Sequence, residues 1–186
     1  MKKNGILFIL SGPSGAGKST LGNMAVARYE ELVFSISYTT RKPRPGERDG
    51  FDYNFIDDKT FDEMASSGEF VEFAGVHGRK YGTAREDLED LLKDGINVLL
   101  DIDVQGAEQL KKIFKDGVFI FVSPPSLEVC EARLRDRGNL AINELKDRLI
   151  TARDEMEKSK EYDFCIVNNV LEESFKQLSE IIDSKV

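Results

Sequence analysis

"GILFILSGPSGAGKST", Gly5 to Thr20, runs six mostly apolar residues into a glycine-rich loop that ends on a lysine and two hydroxyls. Gly12, Gly17, Lys18 and Ser19 satisfy the pattern G-x-x-x-x-G-K-[ST], between a predicted strand and a predicted helix, which is the context the pattern requires. Its chemistry depends on these residue types. Glycines let the backbone curl until its N–H groups face one phosphate chain, Lys18 supplies a point charge for the terminal phosphates, and Ser19 offers a hydroxyl to a magnesium ion. The amino end of the following helix adds partial positive charge. A chance strand-to-helix turn would supply the glycines without both flanks. The loop residues Gly12, Pro13, Ser14, Gly15, Ala16, Gly17, Lys18, Ser19 and Thr20 are therefore the candidate contacts of a nucleoside triphosphate.

Working outward, further apolar runs alternate with stretches of helical period: "INVLLDID" (96–103), "VFIFVS" (118–123) and "FCIVN" (164–168). Each is apolar on successive residues, as a strand covered on both faces should be, so the expected fold is α/β with a mainly parallel sheet flanked by helices. Thr83 to Glu86 reads as a capping box opening a helix that Gly95 closes; Ser126 reads as the N-cap of another that Gly138 closes. Two last helices are expected near 141–160 and 172–184. Residues 34–86 change character, with short alternating pieces broken by Pro and Gly, and read as an inserted lobe of short antiparallel strands between core segments 1–33 and 87–186.

At 186 residues, 40% hydrophobic and 32% charged, the chain is long enough to bury one sizeable core. Its net charge of −8 argues against nucleic acid or an anionic membrane surface as the main partner. No run approaches the roughly 20 apolar residues that span a bilayer, and the expected location is cytoplasmic. Cys130 and Cys165 are too few for a disulfide framework or a zinc site, and Cys165 reads as a small core residue within an apolar run.

Against that acidic balance, "TTRKPRPGERDGFDY" (39–53) concentrates Arg41, Lys42, Arg44 and Arg48. Lys42 and Arg44 each precede a proline, which biases them toward extended backbone and stiffens the loop. Arginine forks suit bidentate contact with phosphate, and Tyr53 adds a hydroxyl. A solvated basic loop is the bland alternative. A second phosphate site beside the first implies phosphoryl transfer between two bound nucleotides.

With "FSISYTTRKPRPGERDGFDYNF", "GEFVEFA", "KYGT", "LLDIDVQG", "RLRDRG" and "DFCIVNN" in order, the chain resembles the guanylate kinase family of the bacterial type along its whole length. The resemblance implies a nucleotide-binding core, a GMP-binding lobe over 34–86 and a mobile lid over 135–148. It implies an ATP:GMP phosphotransferase of purine metabolism that makes ADP and GDP with magnesium, with dGMP as a further candidate acceptor. Residue by residue, it makes Arg41, Arg44, Tyr53 and Tyr81 ligands of the GMP phosphate, and Ser37, Glu72, Thr83 and Asp103 readers of guanine. One carboxylate, Glu72, can accept from guanine N1–H and the 2-amino group together, while Ser37 and Thr83 can donate to O6. Ser19 and Asp101 become the metal-side residues, and Lys18, Arg41, Arg137 and Arg148 the catalytic cations. Arg133 and Asn168 match positions bordering the adenine of ATP, and His77 is expected to be a loop residue without catalytic duty.

Two departures stand out: Arg79 and Lys80 replace the family's common Asn-Tyr, and "NLAIN" (139–143) replaces its usual acidic and hydroxyl residues. Two rival readings stay open. One is a guanylate-kinase-like interaction module without catalysis, against which Lys18, Ser19 and the arginines argue; the other is a kinase for a different nucleoside monophosphate, which Glu72 discriminates.

Overall fold

The apolar run before the glycine loop forms β1 (Leu7–Ser11), with every residue buried. In the computed structural model, which describes residues 3–136 and 141–186, α1 (Lys18–Arg28), β2 (Leu32–Phe34), β3 (Tyr38–Thr39) and β4 (Asn54–Phe55) follow β1. Next come α2 (Asp58–Ser67), β5 (Phe70–Val76), β6 (Arg79–Ala84), α3 (Arg85–Lys93), β7 (Asn97–Asp101) and α4 (Val104–Ile113). The remaining elements are β8 (Val118–Ser123), α5 (Leu127–Asp136), α6 (Ile142–Glu157), a single 3₁₀ turn (Lys158–Glu161), β9 (Phe164–Val167) and α7 (Leu171–Asp183). Gly138, the expected close of α5, lies outside the described residues.

Strands β2, β7, β1, β8 and β9 form one parallel sheet in that order, with β1 at its centre. Successive apolar residues are needed because alternate side chains enter different cores. Phe8 and Leu10 pack with Leu21 and Ala25 of α1 and Leu178 and Ile182 of α7. Leu7 and Ile9 pack on the other face with Leu88 and Leu92 of α3 and Ala107 and Leu110 of α4. Each such buried Leu or Phe contributes about 1.5–3 kcal/mol. The edge strand β9 departs from this pattern: Ile166 is buried, but Cys165 and Val167 are exposed, so Cys165 is not the core residue expected.

Register decides what the sheet can position. Leu10 lies opposite Asp101 and Ser11 opposite Phe121, so the carboxyl ends of β1, β7 and β8 open onto one crevice. In open parallel sheets ligands bind in such crevices.

Residues 38–84 form a second sheet ordered β4-β3-β6-β5. It is mixed rather than purely antiparallel, because β3 runs parallel to β4. It also carries a helix that was not expected: α2 is capped at its start by Asp57, whose side chain accepts from Thr60 N at 2.7 Å, and at its end by Gly68 with φ +76°. Phe61 of α2 packs on Phe70 of β5 with ring centroids 4.6 Å apart. Lys80 reaches Asp58 and Asp62 at 3.3 and 2.6 Å, so this departure from the family pattern ties β6 to α2 on the outer face. Thr83 lies within β6 instead of opening a capping box; α3 has Ala84 at its N-cap and no side-chain cap. Gly95, with φ +77°, does follow α3 as expected. Among the described residues no helix is long and apolar enough to cross a membrane.

Close backbone approach at Gly5 sets how β1 enters the sheet. A Cβ there would sit 1.8 Å from the carbonyl oxygen of Ile96, just before β7, and Gly5 N donates to Leu92 O at 2.7 Å. Since the obstruction is backbone, Gly5→Ala should destabilise the chain by about 2 kcal/mol or more, read as a lower urea midpoint with an unchanged slope. An unchanged midpoint would contradict this close approach and the strand register that depends on it.

Candidate active site

Phosphate binding is built from the loop between β1 and α1. Gly12, Gly15 and Gly17 have φ of +134°, +87° and +93°, the left-handed region that turns successive N–H groups to one side. Gly17 is also the N-cap of α1 and supplies no capping side chain, so the amides of the first turn face the crevice. The Lys18 ammonium folds back over the loop, donating to Gly12 O at 2.7 Å and Pro13 O at 3.3 Å, and stands 3.9 Å from Asp101 Oδ1. The Ser19 hydroxyl donates to Asp101 Oδ2 at 2.6 Å. A hydroxyl and a carboxylate therefore meet beside the lysine.

Braces behind the loop hold it in shape. Asn168, buried, donates from its amide to Ala16 O at 2.8 Å, and Arg133 donates to Gly15 O, Ala16 O and Asn168 O at 3.4, 3.5 and 2.9 Å. The Cys130 thiol donates to Ser14 O at 3.2 Å. Arg133 and Asn168, expected beside adenine, thus donate to the loop backbone, Arg133 also to Asn168 O, and neither lines the wall of the cavity that opens from the crevice. Pro13 and Ala16 are buried within the loop, and Thr20 is exposed on the first turn of α1.

The crevice opens into a cavity of about 500 Å³ that runs from the loop to the second sheet. Gly12, Ser14, Gly15, Gly17, Lys18, Ser19 and Asp101 line one end; Ser37, Arg41, Arg44, Tyr53, Glu72, Tyr81 and Asp103 line the other. Of the four basic residues in the proline-rich loop, Lys42 and Arg48 do not line it, and the Arg48 guanidinium lies over Phe51 at 4.3 Å. The Arg41 guanidinium lies 5.1 Å from the Tyr53 ring centroid, and Tyr53 packs edge-on against Tyr81 with centroids 6.0 Å apart. Burial pushes the Tyr53 phenol up to about 12, so it remains a donor.

Glu72 is the anomalous group, a carboxylate only 3% exposed yet lining the cavity. Burial pushes its pKa up to about 7, with the charge of Asp103 adding to the shift and a hydrogen bond from Thr83 opposing it. Thr83 Oγ1 donates to Glu72 Oε1 at 2.6 Å and is itself fully buried, outside the cavity lining. Its hydroxyl therefore orients the carboxylate, where direct donation to O6 was expected. Gly106 of α4 makes room on the other side, since a Cβ there would sit 2.3 Å from Glu72 Oε2. Asp103 caps α4, accepting from Gln105 N at 2.7 Å and Gly106 N at 3.2 Å.

The third wall belongs to α6. Arg148 lines the cavity and donates to Glu144 Oε1 at 2.6 Å, while its Nε is buried with no hydrogen-bond partner among the described residues. Arg137 and two residues of "NLAIN" (139 and 140) lie outside the described residues. Two lining residues escaped sequence reasoning, Glu144 and Glu155, and two that it gave no site role, His77 and Arg79, also line the cavity. Glu144, Arg148 and Glu155 are spaced four and seven apart on one helix, a shared-face signal present in the sequence. Burial pushes Glu155 up to about 7, with nearby Lys18 opposing the shift. His77 sits at the β5–β6 turn with φ +49°, and burial followed by the charge of Arg148 lowers its pKa.

Such a cavity can hold two phosphate-bearing ligands end to end, with a buried acceptor of hydrogen bonds at one extreme. The family model "Guanylate kinase" matches residues 4–185. A curated guanylate kinase from Aromatoleum aromaticum is 46% identical over 178 residues, covering 96% of this chain and 87% of its own. Another, from Syntrophotalea carbinolica, is 46% identical over 182 residues, covering 98% and 87%. A crystal structure of guanylate kinase from Anaplasma phagocytophilum superposes with a TM-score of 0.81 at 36% identity, covering 100% of this chain and 88% of that one. With the match running from the first strand to the last helix, the chain belongs to the guanylate kinase family.

Proposed function

We propose that the chain transfers the terminal phosphoryl group of ATP to the phosphate of GMP, giving ADP and GDP. The observation that carries this reading is one cavity joining the glycine loop to Arg41, Arg44, Tyr53 and Tyr81, with the Glu72 carboxylate beyond them. A GMP phosphate oxygen attacks the terminal phosphorus, and the bond to the ADP oxygen breaks in line. Transfer through a loose transition state needs alignment and positive charge more than a general base. Lys18 and the amides of the glycine loop hold the donor, Arg41 and Arg44 hold the acceptor, and Arg148, which lines the same cavity, adds a fourth cation. Arg137 joins that set by resemblance.

Magnesium fits the donor set: Ser19 and Asp101 offer hard oxygens 2.6 Å apart, and magnesium takes few protein ligands alongside phosphates and water. When bound, it supplies charge neutralisation to the transferring phosphates. Ionised Glu72 accepts from N1–H and the 2-amino group of guanine, Asp103 takes a remaining amino proton and Ser37 donates to O6. Adenine presents an acceptor at N1 to the carboxylate and is rejected by repulsion.

A coupled assay with ATP and AMP, GMP, dGMP, CMP or UMP should give turnover with GMP, weaker use of dGMP and little with the rest. In the same assay Lys18→Ala should lower kcat by at least about 10²-fold in a folded protein, since it removes charge aimed at the transferring group. Turnover within tenfold of wild type would remove Lys18 from the mechanism.

Glu72 gives the site a pH dependence with a definite sign. Its pKa is raised, so the ionised form that guanine needs prevails above about 7 and gives way to the protonated form below. The KM for GMP should rise by roughly tenfold between pH 8 and pH 6, with a break near 7, while the KM for ATP changes little. Because the GMP phosphate titrates in the same range, Glu72→Gln is the control: its profile should keep only the phosphate's share of the pH dependence and be clearly shallower than that of the wild type. Identical profiles in both proteins would contradict the assignment.

A further inference from the structure

Arg41 does not meet the cavity as a freely turning cation. Glu47, six residues on in the same loop, accepts from Arg41 Nη1 at 2.7 Å through Oε2 and from Nη2 at 2.9 Å through Oε1. The same Oε2 accepts from Arg44 N at 2.7 Å, and Arg41 Nη1 also donates to Lys42 O at 2.9 Å. Both side chains are mostly buried, 12% and 18% exposed, and Glu47 is absent from the cavity lining. We propose that Glu47 is a positioning residue for the acceptor phosphate, fixing which edge of the Arg41 guanidinium the phosphate receives and how the Arg44 backbone stands beside it. This rests on Arg41 and Arg44 being ligands of that phosphate.

Counting protons identifies the free edge. Both hydrogens of Nη1 and one of Nη2 are committed, which leaves Nε–H and the second Nη2–H. These two are parallel and form the side fork that fits two oxygens of one phosphate. The plane of the fork is set by the rings of Tyr53 and Phe55, 5.1 and 5.6 Å from the guanidinium carbon. Ring packing and the carboxylate together leave the group one orientation. Mutual attraction raises the pKa of Arg41, against burial, and lowers that of Glu47, so the pair stays ionised at neutral pH.

Electrostatics and positioning make opposite predictions, which renders the proposal decidable. A carboxylate beside a phosphate site repels the ligand, so removing its charge without other effect would tighten GMP binding. If the carboxylate aligns the fork, its removal frees the side chain and the binding step must order it again.

The experiment is steady-state kinetics on Glu47→Gln, Arg41→Met and the double variant, varying GMP at saturating ATP and then ATP at saturating GMP. The isosteric amide keeps the size of Glu47 but turns a donor toward one Nη. Positioning predicts a KM for GMP raised roughly three- to tenfold in Glu47→Gln, with the KM for ATP unchanged. It further predicts that most of this effect vanishes in the Arg41→Met background, a non-additivity that general loosening of the loop would not produce. An unchanged or lower KM for GMP in Glu47→Gln, with Arg41→Met still impaired, overturns the positioning role and leaves Arg41 as a phosphate ligand. An unaltered KM for GMP in Arg41→Met overturns the ligand reading and the proposal with it. KM reports only on folded molecules, so partial misfolding of a variant does not imitate any of these results.

Discussion

Parallel pairing of β1 with β7, Leu10 against Asp101, is the constraint from which the rest of the site follows. It brings the end of one buried strand, where the chain must turn into the glycine loop, beside the end of another, where Asp101 emerges. A slip of one residue would turn Asp101 toward the opposite face of the sheet. Ser19, one residue into α1, would then have no carboxylate at 2.6 Å, and Lys18 would lose the carboxylate 3.9 Å from its ammonium. Two residues after Asp101, Asp103 caps α4 and faces the cavity, so one strand end serves both ends of it.

The second dependence is a carboxylate held where water barely reaches. Glu72 lies on β5 with Thr83 directly across on β6, so the hairpin register places a hydroxyl against Oε1, and Gly106 lets α4 come close to Oε2. Burying an ionisable group without a full set of partners is unfavourable, and the raised pKa records it. A ligand offering two adjacent N–H groups relieves that penalty; one offering an acceptor there adds to it. In the proposed reading, selectivity comes from the same desolvation that weakens the acidity of the carboxyl group in the free protein.

Much of this was legible in the sequence because the features are local. The glycine loop, the four apolar strands of the parallel sheet read from the sequence and the closing turn at Gly95 each depend on residues within a short window. What was missed depends on long-range packing. Thr83 looks like a helix cap in "TARE" and becomes a partner of Glu72 only once β5 and β6 pair. Cys165 looks like core until β9 is seen to be an edge. Helix α2 did carry a local signal, Asp57 before the helix and Gly68 after it, but the surrounding strand-like pieces outweighed it. Glu155 and Glu144 share a face with Arg148, and only the fold shows that this face turns to the cavity. Glu47 escapes a sequence reading because acidic residues in a basic loop look like solvated surface, whereas its three hydrogen bonds are internal to the loop.

Recognition of guanine by one buried carboxylate is the claim on which the proposed specificity stands. Its most direct test is the ratio of kcat/KM for GMP to that for AMP in Glu72→Gln, which exchanges an acceptor for a donor at constant shape. A site whose buried groups are left unpaired by the wrong ligand separates ligands by about 10⁴- to 10⁵-fold, so loss of one acceptor should reduce the ratio by at least about tenfold, mainly through poorer use of GMP. An unchanged ratio in a folded variant would mean that guanine is read elsewhere.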